Sequence, residues 1–177
     1  PNILYIFTDQ QQANMMSCAG NPYLRTPAMD SLAATGVRFE KAYCANPVCL
    51  PSRYSMMTGR MPGDIGIRSN IDGAGVSVSQ ADVDNTIGWS MRLAGYDVAY
   101  GGKVHLPNGM DPESMGFQYL TDDERDGLAN ACADFISEPR EKPFMLIASF
   151  INPHDICYMA IRDFGGDNFA GISIGSG

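Results

Sequence analysis

Asn46 to Arg60 reads NPVCLPSRYSMMTGR, and its cysteine, proline and arginine are spaced for chemistry. One residue separates Cys49 from Pro51, and Arg53 follows one residue after Ser52. Proline fits the first turn of a helix, because its missing N–H would be unpaired there anyway. Cys49 is therefore expected at or just before a helix start. Free backbone N–H groups and the helix dipole favour an anion at such a place. They would lower a thiol pKa or hold a sulfate or phosphate. Arg53 adds a fixed charge whose fork of donors suits oxyanions. Taken alone, the stretch fits a buried, inert cysteine beside a structural arginine at least as well, since free cysteine is commonly buried.

Four further residues could serve the same chemistry: Asp9, Lys103, His105 and His154. Each follows a strand-like run. NILYIFTD is a continuous apolar run ending in polar residues, which predicts a buried strand whose tip reaches the surface near Asp9. DVAYGG predicts a short strand before Lys103, and PFMLIASF a buried strand before INPHD. An isolated acid, lysine or histidine at a strand end is ordinarily just solvated. Their common placement carries more weight, because ligands of parallel α/β sheets collect beyond the carboxyl ends of the strands.

Other segments supply the frame. RTPAMDSLAATG predicts a helix with Thr26 as N-cap, Pro27 at the first helical position and Gly36 as C-cap. VRFEKAYC alternates like a half-buried strand. Residues 61–84 are rich in Gly, Ser and Asp without a period and predict a long surface loop. NTIGWSMRLAGY predicts a helix ending at Gly95. TDDERDGLANACADFIS predicts a helix opened by a Thr121–Glu124 capping box, with Leu128, Cys132 and Phe135 on one face. Strands alternating with helices give an α/β layered fold with a largely parallel sheet.

The chain has 177 residues, 45% of them apolar and 18% charged, and a net charge of −8. That is enough for one domain with a core. The acidic balance makes it a poor general binder of nucleic acid or anionic membrane. Five cysteines, an odd number without zinc-type pairing, suggest neither a disulfide framework nor a CxxC site. No apolar run is long enough to span a bilayer. Pro1 stands directly before the first strand-like run, so any signal peptide lies outside the sequence and the compartment stays open. RDFGGDNFAGISIGSG is Gly-rich and poor in large core residues. The chain is therefore expected to be truncated near residue 162, with 163–177 a tail of uncertain structure.

The Cys-x-Pro-Ser-Arg pattern, followed by Met56, Met57, Thr58, Gly59 and Arg60, resembles the signature of the type I sulfatases. That resemblance implies an alkaline phosphatase-like α/β/α sandwich, with residues 1–162 the N-terminal portion of its catalytic domain. It also implies that Cys49 is oxidised to formylglycine by a maturation enzyme, and that the hydrated aldehyde is the nucleophile. Other segments resemble the family in the same order. NILYIFTDQ is similar to its first strand, making Asp9 and Gln10, together with position 49, ligands of a calcium ion. Gln10 stands where a second aspartate is usual; it can ligate a hard cation but brings no charge. Asp-Gln also occurs in members resembling choline sulfatases and phosphonate monoester hydrolases.

GYDVAYGGKVHL resembles the segment whose lysine and histidine hold the sulfate and approach the nucleophile, here Lys103 and His105. SFINPHD resembles the segment whose histidine touches the leaving oxygen, here His154. Both of the chain's histidines fall at family positions. The catalytic set implied is Cys49, Arg53, Lys103, His105 and His154. The substrate implied is a sulfate-ester small molecule or sulfated glycan, in a periplasmic or secreted setting. A phosphonate or phosphate diester hydrolase with the same aldehyde, and a non-catalytic chain that keeps its thiol, are the alternatives. The family's second metal pair is matched only by Asp167 and Asn168, which no apolar strand precedes.

Overall fold

The computed structural model describes residues 1–157; the tail, with Asp167 and Asn168, lies outside them. The apolar runs become the strands of one sheet. The first strand, β1, covers Ile3–Asp9; β2 covers Asp97–Gly102, β3 Gln118–Tyr119 and β4 Phe144–Pro153. The sheet order is β1-β4-β2-β3, with every pair parallel. All carboxyl ends therefore lie at one edge, where Asp9 ends β1 and Lys103 and His154 follow β2 and β4.

Alternation along β2 and β4 divides the core into two layers. Val98, Tyr100, Met145 and Ile147 face one side, with Leu50, Tyr54 and Met57. Ala99, Phe144, Leu146 and Ala148 face the other, with Leu128, Cys132 and Phe135. Fully burying a side chain such as Leu146 or Ile147 stabilises by roughly 1.5–3 kcal/mol. The helices supply both layers. They are α1 (Pro27–Thr35), α2 (Cys49–Thr58), α3 (Asn70–Gly75), α4 (Gln80–Asp84), α5 (Ile87–Leu93) and α6 (Leu128–Ser137). Leu50, Tyr54 and Met57 recur at helical spacing and turn one face of α2 onto the sheet. Gly59, at φ 70°, ends that helix as its C-cap. Thr26 and Gly36 flank α1 as expected.

Five expectations are corrected. β1 is paired on one side only among the described residues, and Ile6 is 51% exposed. Apolar composition fits a strand for burial, but neighbours do the burying. VRFEKAYC forms no strand; Phe39 is 79% exposed, and without a pairing partner an alternating pattern has no sheet to join. Residues 61–84 are not one loop. The hydroxyls of Ser69 and Ser79 take the backbone N–H of Asp72 and Asp82, capping α3 and α4, and Ile67 and Val83 are buried. The helix predicted from Thr121 starts only at Leu128. The Asp123 carboxylate gathers the N–H groups of Arg125, Asp126 and Gly127 at 2.9, 3.0 and 2.7 Å, which ties that stretch into a turn instead. The fifth correction, the Cys49 thiol, belongs to the site.

Candidate active site

β2 ends in Gly102, at φ 85°, and a Cβ there would lie 2.2 Å from the Ser149 carbonyl oxygen. Only glycine turns the chain so sharply beside β4. The turn sends Lys103 across the sheet edge, where its Nζ meets Asp9 Oδ2 at 2.9 Å. Arg53, one turn into α2, reaches the same oxygen through Nη2 at 3.0 Å. Both side chains and Asp9 are buried. Burial alone would push the Asp9 carboxyl up; the hydrogen bonds and charges of Lys103 and Arg53 outweigh it and hold its pKa below the usual carboxylate range.

A second layer fixes the two cations. Arg53 Nη1 donates to the Lys103 carbonyl oxygen at 2.7 Å and to Ser149 Oγ at 2.8 Å. Ser149 Oγ and Tyr100 Oη donate to that same carbonyl at 2.7 and 2.6 Å. The Arg53 guanidinium lies 4.8 Å from the centre of the Phe7 ring. Sequence reasoning passed over Tyr100 and Ser149. Tyr100 looks like ordinary strand core. Ser149 carried a signal, because a lone hydroxyl in PFMLIASF needs a partner once buried.

Cys49 is the first residue of α2, as its spacing from Pro51 implied. The Asn70 side chain accepts the neighbouring Leu50 N–H at 3.0 Å and so anchors the helix start. The thiol donates to Asp9 Oδ1 at 3.4 Å. Its pKa is raised, not lowered: burial dominates, Lys103 opposes it, and the Asp9 charge adds to the rise. The expected activation by the helix end is overridden, first by burial and then by the carboxylate next door.

The remaining residues divide. His154 joins Asp9 and Cys49; the three offer ligand atoms all within 4.8 Å of one another. His105 stands at φ 43° on the exposed turn beyond Lys103. Partial burial of its ring, then repulsion from Lys103 and Arg53, holds its pKa below the usual imidazole value. Gln10, at φ 64°, is spent elsewhere. Its Nε2 donates to Cys157 Sγ at 2.9 Å, and the Cys157 thiol donates back to Oε1 at 3.1 Å. Five of the seven expected residues thus converge; His105 borders them and Gln10 does not join them.

The residues of this cluster all lie within the stretch that a family comparison matches. A profile described as Sulfatase fits residues 1–164. The chain belongs to the sulfatase family. An uncharacterized sulfatase of Escherichia coli K12, YidJ, is 30% identical to this sulfatase chain over 197 aligned positions, covering 87% of it and 38% of the relative. A Δ4,5-hexuronate-2-O-sulfatase of Bacteroides thetaiotaomicron is 30% identical, covering 89% of this chain and 35% of its own. The solved structure of a 2-O GAG sulfatase superposes with a TM-score of 0.68 at 27% identity, covering 89% of this chain and 36% of that one. The chain thus spans little more than a third of these relatives. The mixed α/β architecture with its parallel sheet is the alkaline phosphatase-like fold of the family.

The donor set fits part of a shell for a hard divalent cation. Such an ion takes six to eight oxygens when it is calcium. Asp9 directs Oδ1 away from its two cations and toward Cys49, the side on which an ion would sit. Gln10 could add its carbonyl only by leaving Cys157.

Proposed function

We propose that the protein to which this chain belongs hydrolyses sulfate esters, with Cys49 converted to formylglycine as the nucleophile. The observation that carries this is the convergence of Arg53 and Lys103 on Asp9 beside the first residue of α2. Two buried cations against one carboxylate leave a local surplus of positive charge in a chain of net charge −8. An oxyanion substrate offsets that surplus.

Each residue has a stated task. Arg53 and Lys103 orient the sulfate and hold the nucleophile, and the fixed second layer spares reorganisation as charge develops. The N–H groups at the start of α2 face the same anion. His154 gives a proton to the leaving alcohol oxygen. His105, with its depressed pKa, is neutral at pH 7 and takes the proton from the nucleophile's second hydroxyl. Asp9 and the position-49 oxygen, joined by Gln10 once its amide leaves Cys157, would hold a calcium ion, which would supply positive charge to lower the hydroxyl's pKa. A sulfated glycan is the substrate class these relatives favour, since one is named for a hexuronate 2-O-sulfate.

The Asp9–Gln10 pair, with its single acid, supports a second reading: phosphonate or phosphate diester hydrolysis by the same aldehyde. Sulfate release measured against diester hydrolysis separates the two. The deciding experiment is the mass of the Cys49 peptide from protein made in its native host, paired with turnover of Cys49→Ala. Loss of sulfur with gain of an aldehyde oxygen, and no turnover in the variant, are expected. An intact thiol, or unchanged turnover in Cys49→Ala, would sink the formylglycine reading.

A further inference from the structure

Before any conversion, position 49 carries sulfur, and that changes which metal the cluster suits. Its donors are then a carboxylate, a thiol and an imidazole, with ligand atoms all within 4.8 Å of one another. Calcium selects oxygen ligands, whereas thiolate and imidazole suit zinc. Zinc bonds of about 2.0–2.3 Å in a tetrahedral site place neighbouring ligand atoms about 3.3–3.8 Å apart. The Cys49 Sγ–Asp9 Oδ1 separation of 3.4 Å already meets that span.

The Asp9 carboxylate is divided in a way that permits this. Lys103 and Arg53 both bind Oδ2, and Oδ1 is the oxygen that faces the sulfur. A metal can take Oδ1 without breaking the buried ion pairs. The nearby cations oppose any dication, so the loss of the thiol proton matters: it adds a negative charge inside the cluster.

We propose that the chain in its thiol state binds Zn2+ through Cys49 Sγ, Asp9 Oδ1 and an imidazole nitrogen of His154, with water or an anion in the fourth position. A Zn–S bond forms, the Cys49 S–H bond breaks, and the proton passes to solvent. No oxidant or reductant takes part. For the hydrolase the consequence rests on the formylglycine reading: exchanging this sulfur for an oxygen turns a zinc-preferring donor set into a calcium-preferring one. Zinc on the unconverted thiol also occupies the atom that conversion must reach.

Co2+, a spectroscopic stand-in for zinc, tests this on the thiol chain. A thiolate-to-cobalt charge-transfer band in the near ultraviolet is expected, abolished by Zn2+ and indifferent to an equal excess of Ca2+. Cys49→Ser, nearly isosteric, should lose the band while circular dichroism keeps the parent spectrum. His154→Ala should weaken cobalt binding by about tenfold or more. Cys157→Ser, which alters the thiol beside Gln10, should keep the band. Absence of the band in the parent, its survival in Cys49→Ser, or displacement by Ca2+ as readily as by Zn2+ each overturns the proposal. The measurement reads binding, not turnover. A failed cobalt signal leaves the aldehyde mass and sulfate release untouched, and an unconverted thiol in native protein refutes the formylglycine reading while the zinc result stands.

Discussion

The two oxygens of Asp9 face different worlds. Oδ2 looks into a dry network in which Arg53, Lys103, Tyr100 and Ser149 satisfy one another at 2.6–3.0 Å. Oδ1 looks toward a raised-pKa thiol at 3.4 Å, with His154 nearby and Gln10 turned to Cys157. The half proposed for the oxyanion is finished by three adjacent strands and one helix. The half proposed for the cation rests on one carboxylate oxygen, a thiol and an imidazole. An anion site needs few donors held rigidly, whereas a hard cation needs many oxygens. The first can be completed by side chains packed into one core.

The largest break in this comparison is Arg53→Met. It removes the guanidinium from Asp9, the Lys103 carbonyl and Ser149 together, leaving a buried carboxylate with a single cation. The expected loss is about 3–5 kcal/mol in urea unfolding, since breaking a buried pair strands a charge. Arg53→Lys should recover only part of it, because an ammonium lacks the planar fork. A Met variant as stable as the parent would mean the Oδ2 network holds nothing together.

Ser149→Ala comes next. Its hydroxyl passes the Arg53 hydrogen bond on to the Lys103 carbonyl, and the residue is fully buried. Leaving buried donors short of a partner costs about 1–3 kcal/mol. Tyr100 still binds that carbonyl, so the outcome belongs at the lower end. Unfolding of the single variants and of the Ser149→Ala/Tyr100→Phe double variant checks whether the two share one acceptor.

Acid probes the same oxygen more gently. The folded Asp9 carboxyl has a depressed pKa, so the unfolded chain takes up its proton first as pH falls. The stabilisation is complete above the ordinary carboxylate value of about 3.9 and is lost as pH drops through the lower folded value. The parent should therefore lose more stability than Asp9→Asn in that acid window. Parallel curves would show that Asp9 is not held ionised by its cations.

What the sequence disclosed follows the same division. Lys103 and His154 could be placed because the segments that become β2 and β4 read as strand-like runs, and Cys49 because Pro51 marks the first turn of α2. Those signals are local. The partners of Arg53 are contributed 47 and 96 residues away by Tyr100 and Ser149, and such pairing leaves no period to read. The short helices α3 and α4 escaped because one serine cap on five or six residues resembles a loop. The expected burial of β1 and the expected strand over VRFEKAYC failed for the opposite reason. Their apolar pattern is visible, but burial and strand pairing depend on what lies beside them.

The smallest change sharpens the comparison from the cation side. Gln10 is exposed, holds φ 64°, and spends its amide on Cys157. Aspartate tolerates this left-handed backbone better than glutamine does. Gln10→Asp therefore relaxes the backbone while giving up one exposed hydrogen bond, and stability without metal should move by no more than about 0.5 kcal/mol. The new carboxylate stands next to Asp9 in sequence and adds the negative charge that the cation half lacks, since calcium affinity follows ligand charge count. Calcium binding by calorimetry should tighten by roughly tenfold, equivalent to about 1.4 kcal/mol. Gln10→Asn, which takes the same backbone without the charge, should not tighten it. Equal affinities in the two variants would mean that backbone relaxation, not charge, governs the cation side of Asp9.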